Sequence, residues 1–63
     1  MVRKRFALHM KDDSPTIEGV LVKRSRREYI LIAAQIMQQD RSIPMEGRVE
    51  VPREHVYCLQ EIK

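Results

Sequence analysis

The sequence predicts an all-β fold, a small five-stranded antiparallel barrel with a short helical turn before the last strand. Three observations carry this. Over residues 43–51, Ile43, Met45, Val49 and Val51 alternate with Ser42, Pro44, Glu46, Arg48 and Glu50, the period of two of a half-buried strand. A break, Pro52-Arg53-Glu54-His55, then leads into a second short apolar run, Val56-Tyr57-Cys58-Leu59. Strand, tight turn and strand make a common closing corner of very small barrels. Finally, Gly19 interrupts a run rich in β-branched residues, where a glycine lets one strand bend and serve both halves of a curled sheet.

The elements follow in order. Val2, Lys4, Phe6, Leu8 and Met10 alternate with Arg3, Arg5, Ala7, His9 and Lys11, which reads as a first strand with a polar outer face. Asp12-Asp13-Ser14-Pro15 is a turn, because Asp and Ser side chains accept local backbone hydrogen bonds and Pro presets its own φ. Residues 16–22 form the second strand, and Lys23-Arg24-Ser25-Arg26-Arg27 an exposed polar loop. Residues 28–39 admit two readings. Tyr29-Ile30-Leu31-Ile32 favours a strand, while Tyr29, Ile32, Ala33, Ile36 and Met37 lie at helical spacing, and Ser25 with Glu28 matches a capping box. A bent, glycine-bearing strand needs an antiparallel partner, so residues 28–34 are read as strand. Residues 38–42 connect to the fourth strand, residues 56–59 form the fifth, and the whole of 1–63 is one domain. The core expected from alternation is Phe6, Leu8, Ile17, Leu21, Ile30, Ile32, Val49, Val51, Val56 and Leu59, with Met10 and Met45 facing inward and Met37 unplaced.

A 63-residue chain buries only about 60% of the surface its unfolded form exposes. Small scaffolds add disulfides, a metal or oligomerisation. Cys58 is the only cysteine, and Cys58, His9 and His55 lack paired ligand spacing. Oligomerisation is the remaining route, so a homo-oligomer or a larger protein assembly is expected. The lone cysteine fits a reducing compartment. Met1-Val2-Arg3-Lys4-Arg5 is followed by no apolar run of signal-peptide length, and the longest apolar run, residues 29–34, is too short to cross a bilayer. The expectation is an intracellular, cytoplasmic or virion protein without a membrane partner.

Net charge is +3 and unevenly placed. Residues 1–27 hold eight Lys/Arg and three Asp/Glu, which makes +5, and residues 28–63 hold four and six, which makes −2. Such asymmetry suits contact with nucleic acid or a head-to-tail contact between copies, and also basic residues that merely solvate strand ends.

Two segments resemble the five-stranded Sm-like and SH3-like small barrels: Met10-Lys11-Asp12-Asp13 leading into Ile17-Glu18-Gly19-Val20-Leu21, and residues 47–56 (Gly-Arg-Val-Glu-Val-Pro-Arg-Glu-His-Val). The resemblance implies a strand running through a single helical turn into the final strand. It stops at the RNA-binding positions. The tip between the second and third strands lacks the family's Asn, and Glu46-Gly47-Arg48 stands where that family carries Arg-Gly. The chain also resembles short tailed-bacteriophage proteins that pair an E-G-V-L-V strand with a V-P-R-E-H-V turn, which implies a phage context more than an activity. Small barrels in virions commonly serve as non-enzymatic connectors or decoration, so a structural or accessory role is expected.

Chemistry-bearing groups are sparse. His9 lies on a polar face and His55 in a turn, too few for a metal site. Cys58 sits in an apolar strand on the face of Val56, as a small buried hydrophobe. Asp12 and Asp13 occupy a solvated turn, and Glu46, Glu50 and Glu54 face outward, away from the desolvated pocket that acid–base chemistry needs. With Gly19 and Gly47 the only glycines, no phosphate loop exists. No catalytic residue, metal, cofactor or small-molecule substrate is expected, and no enzyme. The candidate contact is Lys23, Arg24, Arg26, Arg27 and Tyr29, cations for phosphates and a ring for stacking on a base. Those cations suit equally the carboxylates Glu46, Glu50 or Glu54 of a neighbouring copy. The reading is a non-enzymatic module that self-assembles or docks on a larger protein; the rival is an Sm-like ring binding RNA or DNA through residues 23–27. A strand–helix dimer is the third reading, if residues 28–39 are helical.

Overall fold

The computed structural model describes residues 4–62. It is all-β and antiparallel. Six strands follow one another: β1 (Arg5–Met10), β2 (Thr16–Arg24), β3 (Glu28–Met37), β4 (Ser42–Met45), β5 (Val49–Pro52) and β6 (Val56–Ile62), with a 3-10 turn (Arg53–His55) between the last two. The spatial order is β4-β3-β2-β1-β6, and β5 also pairs with β3. Val2 and Arg3 of the expected first strand lie outside the described residues. Residues 28–37 are strand throughout, so the helical spacing there is not used. Lys23 and Arg24 end β2 instead of opening the loop, and β6 continues three residues past Leu59.

The strand count differs from the expected five because the fourth strand is divided. Ala34 pairs with Met45, and Leu31 pairs with Val49. Two residues of β3 (Ile32, Ala33) therefore face three (Glu46, Gly47, Arg48), which is a bulge. Both sides adopt positive φ, +73° at Gly47 and +50° at Ala33. Glycine takes that conformation freely, whereas alanine pays about 1–2 kcal/mol for it.

A short connection curls the sheet. Pro52 is paired with Glu28 of β3, and Val56 with Met10 of β1, so the 3-10 turn carries the chain from one end of the sheet to the other. Between β5 and β6 lie four strand spacings, about 19 Å if flat at about 4.8 Å each. Four residue steps span at most about 14 Å even when extended. The sheet is bent to bring its ends together, and hydrogen bonds tie the turn to both: Lys11 N–H donates to His55 O at 2.9 Å, and Arg53 N–H to Arg27 O at 2.8 Å. Among the described residues neither β4 nor β5 pairs with β6, so the sheet remains open.

The concave side holds the core, Leu8, Tyr29, Leu31, Ala34, Val51 and Val56, with Phe6, Met10, Ile17, Leu21, Met45, Val49 and Leu59 packed against it. Two expectations are corrected. Tyr29 and Leu31 occupy this core in place of Ile30 and Ile32; Ile30 is buried outside the cluster, and Ile32 is half-buried. The run 29–32 is apolar on both faces, so alternation carries no phase there. Cys58 is exposed, not buried. The register moves between His9 and Met10, pairing Met10 with Val56 but His9 with Cys58. Tyr57 is the extra residue, and it turns Cys58 to the outer face beside His9.

Gly19 permits a close approach. A Cβ there would stand 3.1 Å from the Cα and Cβ of Ala34 and 3.2 Å from the carbonyl oxygen of Ile32. These are mostly backbone atoms of the bulged β3, which give way poorly. Gly19→Ala should overpack the site by about 1–3 kcal/mol, outweighing about 0.4–1 kcal/mol gained from a stiffer unfolded chain. A urea midpoint that falls checks this.

The β1–β2 turn is held by Asp12, whose Oδ1 accepts from Ser14 N–H at 2.9 Å. Hydrogen bonds from the Ser14 hydroxyl and then its amide hold this carboxyl below its ordinary 3.8. A depressed folded pKa means stability fully present above the unfolded value and lost as pH falls through the folded one. Carbon-detected NMR titration should show Asp12 ionising below the ordinary range, with Ser14→Ala raising its midpoint.

Candidate functional site

Lys23 and Arg24 end β2, Arg26 and Arg27 form the tip, and Glu28 opens β3. All four cations are exposed. Ser25 sets the tip's shape. Its Oγ accepts from the amides of Glu28 at 3.1 Å and Arg27 at 3.3 Å and donates to Glu28 O at 3.1 Å, while its own amide donates to Glu28 O at 3.0 Å. Ser25 and Glu28 thus realise the side-chain half of the capping pattern in their sequence. Here it closes a hairpin where a helix start was the alternative.

Tyr29 does not join the exposed set. It is 7% exposed and lies in the core, so its ring is not open to a base, a correction to the stacking role expected of it. Its burial follows from the inward phase of β3 at this position. The Arg53 guanidinium covers the ring, 5.4 Å from its centroid.

Arg53 is the residue that sequence reasoning missed. Its Nη1 donates to Ser25 O at 3.0 Å, and its backbone amide to Arg27 O. One residue of the 3-10 turn therefore braces the tip from below, in cation–π contact with the core tyrosine. Residues 25 and 53 are 28 positions apart, and no local spacing links them. The available signal was the Pro-Arg-Glu-His turn itself, once the fourth strand is laid against the start of β3.

The site is thus four exposed cations on a braced hairpin, with Arg53 adding a fifth at its base. Beside them Arg26, Arg27 and Glu54 line a hollow of about 330 Å³. Glu54 itself lies 3.7 Å from His55 Nε2, an ion pair only when that histidine is protonated. Exposed cations of this kind bind anions or carboxylates by charge. Among the described residues no group of three or more His, Cys, Asp or Glu is placed to hold a metal ion, and no helix is long and apolar enough to cross a membrane.

The second polar feature is on the outer face. His9 Nε2–H donates to Gln60 Oε1 at 2.9 Å, and the Thr16 hydroxyl lies 3.5 Å from Nδ1, at the outer limit of a hydrogen bond. These residues sit on three neighbouring strands, β6, β1 and β2.

Comparison of the chain with protein-family models, with curated proteins and with solved structures finds no match.

Removing the brace should loosen the tip without unfolding the domain. Arg53→Ala is expected to cost about 1–2 kcal/mol, one hydrogen bond and one cation–π contact. Ser25→Ala should cost about 0.5–2 kcal/mol as a lost cap does. Amide exchange at Arg27 and Glu28 should accelerate in both, and Arg53→Lys should not restore protection, because an ammonium lacks the planar fork.

Proposed function

We propose that this chain is a non-enzymatic interaction module that assembles with copies of itself or docks onto a larger protein. We also propose that it is a five-stranded barrel of the Sm-like and SH3-like type, with β4 and β5 counting as one bulged strand. The observation that carries the functional reading is the pair of unpaired sheet edges. Among the described residues β6 is bonded to β1 on one side only, and β4 to β3 on one side only. Open edges present rows of unpaired N–H and C=O groups, which proteins usually blunt with Lys or Pro. β4 carries such a proline, Pro44, whereas β6 (Val-Tyr-Cys-Leu-Gln-Glu-Ile) has neither and displays Tyr57 at 76% exposure. Aromatic rings are enriched at protein interfaces. A chain of this size also gains most from association, because its own core is small. The E-G-V-L-V and V-P-R-E-H-V segments support placing it in a bacteriophage particle, in the cytoplasm during assembly and in the virion after it.

A second reading is favoured by one observation, the grouping of Lys23, Arg24, Arg26 and Arg27 on a tip whose backbone is braced by Ser25 and Arg53. A fixed backbone lowers the freedom lost when those cations meet a nucleic-acid backbone. In a ring, the tips of several copies would act together.

The two readings separate in solution. Light scattering after size exclusion should give a mass that is a multiple of the protomer's, and a monomer at micromolar concentration would remove the self-assembly reading. Freshly purified protein should show no excess absorbance at 260 nm over 280 nm. If it does bind a single-stranded oligonucleotide through four phosphates, affinity should fall roughly fiftyfold between about 50 and 200 mM salt. Binding should then vanish when Arg24, Arg26 and Arg27 are replaced by alanine.

A further inference from the structure

We infer that the outer face of one copy carries a groove that receives the β2–β3 tip of the next copy, so that copies join head to tail. This rests on the self-assembly reading and names a contact within it. The groove measures about 550 Å³, and Ala7, His9, Thr16, Glu18, Met37 and Gln60 contribute to its walls and floor. Ala7 is the floor, and its small side chain leaves the depression open. The hydrogen bonds of His9 to Gln60 and Thr16 stiffen one wall.

Charge selects the occupant. Glu18 is half-buried on this face, and its cross-strand neighbours are the neutral Ala7 and Gln35. Among the described residues the ion pairs are Lys4 with Glu61 and Glu54 with His55, so neither Glu18 nor the four tip cations are engaged in one. Arg5, diagonal to Glu18 on the same face, makes no ion pair with it either. A carboxylate in a partly desolvated groove attracts a cation more strongly than one in open water. Met37 offers an apolar surface for the aliphatic stem of a long basic side chain.

Geometry makes the contact intermolecular. Glu18 and Arg24 are six residues apart on one strand, about 20 Å at about 3.3 Å per residue, which is beyond the reach of the same copy's tip arginines. Groove and tip lie at opposite ends of the β2–β3 hairpin. Joining the tip of one copy to the groove of the next is a heterologous contact, which closes into a ring or extends as a filament. It uses side chains of the outer face, whereas edge pairing uses backbone groups.

The test is charge reversal with mixing. Glu18→Arg makes groove and tip both basic, and reversal of all four tip cations (Lys23→Glu, Arg24→Glu, Arg26→Glu and Arg27→Glu) makes both acidic. Each variant alone should associate about tenfold or more weakly than wild type, since like charges are then juxtaposed. An equimolar mixture should recover association, because each variant's tip suits the other's groove. Far-UV circular dichroism establishes that both variants fold. The near-isosteric Glu18→Gln, and added salt on the wild type, should weaken association in the same direction without reversing any charge. Folded variants that associate as the wild type does, or a mixture that recovers nothing, overturn the contact. A wild-type oligomer indifferent to these changes removes this contact alone, whereas a monomeric wild type removes the self-assembly reading with it.

Discussion

Three residues hold the architecture together. The turn Arg53–His55 joins a strand paired at one end of the sheet to a strand paired at the other. A flat sheet of this width is wider than that connection is long. Curvature is therefore a requirement of chain connectivity, and the strands must supply the bends. They do so at Gly19, where an added Cβ would stand only 3.1 Å from Ala34, and at the bulge that places positive φ at Ala33 and Gly47. Without those irregularities the apolar faces would lie on an open, flat surface that encloses no core.

Each irregularity also resets which residues face inward. A bulge adds one residue to one strand and so exchanges its faces beyond that point. In β3 the inward set passes from Tyr29 and Leu31 to Ala34, across Ala33. In β6 it passes from Val56 to Leu59, across Tyr57. The core thus draws on both phases of the same strands. The exposed cysteine is a product of the second reset, since the residue count between Val56 and Cys58 alone would put them on one face.

The same turn also shapes the candidate site. Arg53 covers Tyr29, bonds to Ser25 O and anchors Arg27 O through its amide. The basic tip is consequently stiff because β5 pairs with the start of β3, which sets residue 53 beside residues 25–27. Stiffness favours a defined partner surface over diffuse charge attraction, since less freedom is lost on binding.

The sequence by itself determined the strands on either side of residues 28–39, the turn before the last strand and the position of the basic tip. Those features are written in local signals: alternation at residues 5–10 and 42–51, turn chemistry at Asp12 and Ser14, and a charge run at residues 23–27. It also marked Ser25 and Glu28 as a hydrogen-bonded pair, while leaving open whether they begin a helix or close a hairpin. Only the tertiary structure decided that question, along with the inward phase at residues 29–32, the exposure of Cys58 and the bracing role of Arg53. The physical reason is common to all four. Period two specifies faces only up to the next bulge, and a bulge is placed by the partner strand. A run apolar on both sides has no phase of its own, and a contact across 28 positions exists only once β5 is laid against the start of β3.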